Sequence, residues 1–185
     1  MQMKKIFFDS EFTGLHQSST LISIAFVADT GEEFYAEFED YDKTQVNSWL
    51  EANILNNLIL TTENQSRDLK RIWVKGNKYE IKSAFEIWIE QFKEPNQKNP
   101  IIQIWGDVPH YDWVLFCELF GGAMKIPKSI QFMPMDIATM LYLKNMDITL
   151  DREKLVERKK RELKKHNALY DAQLIKEVFL KYYEK

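Results

Sequence analysis

The chain has 185 residues, 45% of them hydrophobic and 14% aromatic, and a net charge of −3. That is apolar enough for a full core and too apolar for a disordered chain, and the length suits one domain spanning residues 1–185. A single cysteine, Cys117, excludes an internal disulfide framework and a cysteine-based zinc site, and fits a reducing cytoplasm.

The apolar run after Lys4-Lys5 is only Ile6-Phe7-Phe8 before Asp9 interrupts it. A secretory leader needs ~7–15 apolar residues and a bilayer span ~18, so the chain is expected to be cytoplasmic with no membrane partner. Residues 4–9 read as a short buried strand. Residues 21–28 and 32–39 read as two more, separated by the turn signal Asp29-Thr30-Gly31. In the last of these, Phe34, Ala36 and Phe38 alternate with Glu33, Tyr35, Glu37 and Glu39. One helix is predicted over residues 44–58 and another over 79–92, where Ile81, Ala84, Phe85 and Trp88 share a stripe.

A polar loop over residues 95–100 leads into a strand at 101–105. A helix follows over 111–120 and stops at Gly121-Gly122. Residues 132–135 form a short strand candidate, and Asp136 is placed to cap a helix running to residue 143. Residues 151–165 hold eight Lys or Arg against four acids, which leaves −7 for the rest of the chain. This run reads either as a basic arm drawing in a nucleic-acid backbone or as a solvated helix with Glu157 and Arg161 paired. The last helix covers residues 168–183. Strands first, then strands alternating with helices, predict an α/β fold around a mixed sheet.

Three acidic features sit where apolar faces should be. Asp9 and Glu11 are two apart at the end of a strand, so they project from one face; either the strand ends in solvent and they mark its edge, or both are buried and need compensation such as a divalent cation. Asp171 has Ala168 at −3 and Leu174, Ile175 and Val178 at +3, +4 and +7, which puts it on the core-facing stripe of the last helix. His166, five residues earlier, is expected in the loop at the mouth of that helix. Asp112 has Leu115, Phe116 and Leu119 below it, with helix capping as the ordinary alternative; Asp107 nearby suits a loop. Taken together, four carboxylates and a histidine describe a hard oxygen site suited to Mg²⁺ or Mn²⁺. Two-metal phosphodiester hydrolysis with a histidine base needs such a set.

The segments Phe8-Asp9-Ser10-Glu11-Phe12-Thr13-Gly14-Leu15, His110-Tyr111-Asp112-Trp113 and His166-Asn167-Ala168-Leu169-Tyr170-Asp171-Ala172 resemble the DEDDh 3′→5′ exonuclease superfamily. The stretches Leu21 to Ala25, Gly31 to Ala36 and Trp49 to Leu55 are most similar to its small polyadenylate-specific exoribonucleases. The resemblance implies a ribonuclease H-like fold with a five-stranded mixed sheet flanked by helices. It implies two Mg²⁺ or Mn²⁺ ions held by Asp9, Glu11, Asp112 and Asp171, with His166 as general base. Phe12, Thr13, Gly14 and Leu15 would meet the terminal nucleotide, and Tyr35 and Trp113 are further candidates for substrate contact. Tyr35, Trp49, Trp105 and Trp113 could each stack on a base or belong to the core. A single-stranded RNA 3′ end is the expected substrate and a homodimer the expected assembly. The alternatives are a single-stranded DNA exonuclease and an inactive relative that only binds nucleic acid.

Overall fold

The computed structural model describes residues 3–94, 101–157 and 163–183. Its frame is a mixed sheet with the helices α2 (Lys78–Glu90) and α3 (His110–Leu119) on one face and α4 (Ile137–Leu143) and α6 (Ala168–Tyr182) on the other. The central strand is β1 (Lys4–Phe12). It pairs antiparallel with β2 (Leu21–Ala28) and parallel with β6 (Ile102–Gly106).

Because alternate side chains of β1 point to opposite faces, Ile6 and Phe8 enter the α2/α3 core while Phe7 enters the α4/α6 core. The same alternation aims Asp9 and Glu11 at α6 and Ser10 at α3. A register shift between Glu11 and Phe12 bends the strand end. Aromatic contacts tie the first layer together, with Phe26 packed on Phe85 at 4.7 Å and on Phe116 at 5.2 Å between ring centroids.

The expected five-strand sheet is corrected. Among the described residues the sheet has seven strands, in the order β4-β5-β3-β2-β1-β6-β7, where β3 is Glu33–Phe38, β4 is Ser66–Asp68, β5 is Arg71–Gly76 and β7 is Met135–Asp136. The additions are the β4–β5 hairpin, whose β5 runs parallel to β3. Its signal was present in the sequence: Ile72 and Val74 are buried between Arg71, Trp73 and Lys75, a two-residue period.

The single helix expected over 44–58 is also corrected. The segment consists of a 3₁₀ turn at Lys43–Gln45, α1 (Ser48–Asn53) and a second 3₁₀ turn at Leu55–Asn57. Asparagine side chains compete for the backbone here: Asn47 caps the N–H of Leu50, and Asn53 bonds back to the Trp49 carbonyl. The strand expected at 132–135 begins only at Met135, because Pro134 has no N–H for the ladder. Asp136 caps α4 as expected, accepting from Ala138 and Thr139. Of the run 151–165, read as a basic arm or a solvated helix, the described part holds a short helix, α5 (Arg152–Val156). The polar loop at 95–100 and residues 158–162 of the basic run lie outside the described residues, as does the Glu157–Arg161 pairing.

Candidate active site

β1 delivers two carboxylates to the sheet's α6 face, and α6 delivers a third. One ligand oxygen from each of Asp9, Glu11 and Asp171 lies within 4.8 Å of the others. Glu11 is only 8% exposed, and Asp9 and Asp171 are half-buried. α6 reaches this position because its apolar stripe of Leu174, Ile175, Val178 and Phe179 packs under Phe7 and Trp105. Ala168 and Ala172 are small enough to let it close on β2 at Ala25 and Val27.

The trio is electrostatically expensive when no cation is present. Burial, then the charges of Asp171, Asp112, Glu11 and Asp107, push the Asp9 carboxyl well above the usual carboxylate range. Burial with Asp171 and Asp112 pushes Glu11 up to about 8. Asp112 is a fourth acid but not a member of the close trio. It sits in the first turn of α3, and both the N–H and the hydroxyl of Ser10 donate to its Oδ1, at 3.1 and 2.7 Å. Burial raises its pKa, and the Ser10 bonds oppose that rise. Nothing local marks Ser10 for this role beyond its place on the strand face opposite Asp9 and Glu11.

His166 lies in the loop before α6, as its spacing predicted. Its backbone is left-handed (φ 64°), and its N–H donates to Asp171 Oδ2 at 2.9 Å. The imidazole stands edge-on to Trp49 of α1, 5.4 Å between centroids. Burial, then the charge of Lys165, lower its pKa, so the ring is neutral near pH 7. Asp107 is engaged elsewhere, in a bidentate pair with Arg152 at 2.8 and 3.0 Å. A cavity of about 390 Å³ opens beside the trio, walled by Asp107, Ile148, Leu150 and Lys165.

The expected nucleotide-contact residues divide into two groups. Leu15 is 75% exposed, and Phe12 stacks on Tyr111 at 6.0 Å. Tyr111 also donates its hydroxyl to the Leu15 carbonyl at 3.1 Å, a brace for the 13–15 loop that sequence reasoning missed. Thr13 is buried and its hydroxyl is occupied by Gln45 and Thr20, so its side chain fastens the loop and does not face the cleft.

Tyr35 and Trp113 are corrected as substrate-contact candidates. Tyr35 is fully buried under α6, and Trp113 packs edge-on to Phe8 in the other core layer. Their apolar area is spent on folding, and the same holds for Trp105 against Phe179. Trp49, half-exposed beside His166, is the one of the four aromatic candidates that remains at the cleft.

Comparison with known proteins agrees with this geometry. The chain is 26% identical over 126 residues to the 3′-5′ exoribonuclease Rv2179c of Mycobacterium tuberculosis, an alignment covering 68% of this chain and 67% of that protein. Its fold is similar to that of the cell-death related nuclease CRN-4, with a TM-score of 0.63 at 9% identity, over 99% of this chain and 64% of that one. It is also similar to a full-length 3′-exonuclease, with a TM-score of 0.64 at 10% identity, over 100% of this chain and 83% of that one. Residues 4–182 match the family model of the 3′-5′ exoribonuclease Rv2179c-like domain, and the chain belongs to that family.

Proposed function

We propose that this chain removes nucleoside monophosphates one at a time from the 3′ end of single-stranded RNA, in a reaction dependent on Mg²⁺ or Mn²⁺. The observation that carries this reading is the close, largely buried, mutually repelling trio of Asp9, Glu11 and Asp171, of which Glu11 is the most buried. Such a set fits a hard divalent cation: the donors are all carboxylate oxygens, and their unfavourable repulsion becomes affinity once a positive charge sits among them. Asp9, Glu11 and Asp171 would hold one ion, and Asp9 with Asp112 would hold a second. When bound, the ions supply Lewis-acid stabilisation of the charge that develops on the phosphate oxygens.

The chain's own residues do the remaining work. His166 accepts the proton of the attacking water; its half-buried, neutral ring beside Trp49 supports that role. Leu15, exposed and braced by Tyr111, and the Phe12 and Gly14 positions flanking it, meet the terminal nucleotide. Ser10 orients Asp112. A ribonuclease H-like arrangement, a single domain, a cytoplasmic location and a homodimeric assembly complete the proposal. The sheet order supports the first of these, and no described helix is long and apolar enough to cross a membrane.

The test is digestion of 5′-labelled oligo(A) RNA with Mg²⁺ or Mn²⁺, beside the matching DNA and a 3′-blocked RNA. A ladder shortening from the 3′ end, faster on RNA and absent with the blocked strand, is the expected result. Faster loss of DNA would keep the mechanism and change the substrate. No cleavage with either metal would leave a nucleic-acid-binding relative as the better account.

Metal removal has its own signature in stability. Glu11 has an ordinary value of 4.5 and is raised to about 8 in the fold. A raised folded pKa contributes stability that is complete below the unfolded value and is lost as pH climbs through the folded one. Asp9 shifts in the same direction. In EDTA, the melting temperature should therefore fall by roughly 8–15 °C between pH 5 and pH 8.5 from Glu11 alone, using about 1.36 kcal/mol per pKa unit and 2–4 °C per kcal/mol. Millimolar Mn²⁺ should remove most of that slope. A slope that is the same with and without Mn²⁺ would mean the trio binds no cation.

A further inference from the structure

Behind the His166 loop lies a buried polar network that the site's chemistry does not use. Glu37 of β3 is fully buried. Its Oε1 accepts three hydrogen bonds: from the Tyr35 hydroxyl at 2.9 Å and from the backbone N–H groups of Ile59 and Leu60 at 2.7 and 2.9 Å. Its Oε2 lies 3.8 Å from the Lys75 ammonium. A carboxyl group taken out of water is costly unless it is paired and hydrogen-bonded, so a fold that buries one here must gain something from the order it imposes.

That order runs directly to His166. By gripping two consecutive N–H groups, Glu37 anchors the segment 57–60 against β3. Asn57, at the start of that segment, touches the chain on both sides of His166: its side-chain amide donates to the Lys165 carbonyl at 3.1 Å, and its own carbonyl accepts from Asn167 Nδ2 at 2.8 Å. Asn167 Nδ2 also reaches the Tyr35 hydroxyl at 3.3 Å, while Asn167 Oδ1 caps α6 at the Tyr170 N–H. Tyr35 thus donates to Glu37 and accepts from Asn167, joining the anchor to the loop. Between Lys165 and Asn167, His166 is held at φ 64°, a left-handed conformation unfavourable for a residue with a side chain, which persists only where its surroundings over-determine it. Trp49, against which the imidazole packs, belongs to α1, which leads into the same anchored segment.

We infer that Glu37, Tyr35, Asn57 and Asn167 are positioning residues that set the backbone and ring orientation of His166. The inference rests on the proposed role of His166 as general base. None of the four belongs to the Asp9–Glu11–Asp171 trio. The effect is transmitted through loop geometry, so it should appear in kcat and not in RNA binding.

Tyr35→Phe is the cleanest probe, because it removes one hydroxyl and leaves the ring in its core site. The expected result is a tenfold or larger fall in kcat on oligo(A) RNA, with KM and the Mn²⁺ concentration for half-maximal rate within twofold. Asn57→Ala, at a partly exposed position, provides a second variant that folds if Tyr35→Phe does not, with a threefold or larger fall. Ile89→Val, in the opposite core layer, supplies a destabilised control whose kcat should not change.

An independent arm uses neither metal nor RNA. The chain has three histidines, so the His166 ring-proton signals can be assigned by their loss in His166→Ala, and their ring-current shift by its loss in Trp49→Leu. In Tyr35→Phe those signals should move towards the Trp49→Leu positions. Unmoved signals with kcat within twofold of the parent, or an equal kcat loss in Ile89→Val, would overturn the inference. If His166→Ala itself kept full activity, the general-base reading would fail. The ring-proton shifts would then still decide whether the network positions the imidazole.

Discussion

Asp9→Asn should abolish RNA hydrolysis and, at the same time, make the metal-free protein more heat-stable. The first effect follows because Asp9 is the carboxylate that both proposed ions would share. A fall of about 10³-fold or more in kcat corresponds to about 4 kcal/mol of lost transition-state stabilisation. The second follows from the electrostatics: burial and four neighbouring acids push the Asp9 carboxyl towards its neutral form. Asn has the shape of that neutral form and cannot ionise. Asn has no proton to lose, so the share of the alkaline loss of stability that comes from Asp9 itself should disappear. The measurement is a pair of melting curves in EDTA at pH 8.5, with and without Mn²⁺, beside the oligo(A) assay. The variant should melt several degrees above the parent in EDTA and lose the Mn²⁺ increment. Activity within tenfold of the parent would remove Asp9 from the metal set.

His166→Ala should lower kcat by roughly 10²–10⁴-fold, the range over which a positioned general base contributes. It should leave KM and the Mn²⁺-induced rise in melting temperature nearly unchanged. The reason for the separation is geometric. His166 reaches the acid cluster through its backbone N–H, which donates to Asp171 and is retained by alanine. Only the imidazole is lost, and the imidazole packs on Trp49 and is no part of the Asp9–Glu11–Asp171 trio. The diagnostic is therefore a full Michaelis–Menten comparison with melting curves on the same preparations. A variant that lost metal stabilisation would assign His166 a ligand role, and one with unchanged kcat would transfer the base to another group.

Local spacing alone singled out Asp9, whereas spacing put His166 in a loop and the family resemblance gave it a role. Asp9 and Glu11 are two apart on a strand, and Asp171 lies on the +3/+4/+7 stripe of a helix. Backbone geometry forces each onto a face before any partner is known. β2 was bounded to the residue and α6 to within one, for the same reason, whereas β1 runs on to Phe12, three residues past its expected end. The β4–β5 hairpin shows the converse. Its period of two was legible at Ile72 and Val74, but β4 is three residues with no buried side chain, so nothing in its own composition marks it as a strand. The segment 44–58 failed because its helical pattern was apolar enough, while its asparagines had partners elsewhere.

What local chemistry determined is the list of acids, the histidine, the strands and helices that carry them, and the family resemblance that orders them. What only the tertiary structure decided is which polar groups meet. Ser10 and Asp112 are 102 residues apart, and Asn57 and Asn167 are 110 apart. Tyr35 changed from a candidate for substrate contact to a buried hydrogen-bonding link, and Glu37 became an anchor, only when α6 closed over β3 and the 57–60 segment. Side-chain period is a property of a few consecutive residues and can be read along the chain. A hydrogen bond across the sheet exists only after the strand order has brought its two ends within 3 Å or so.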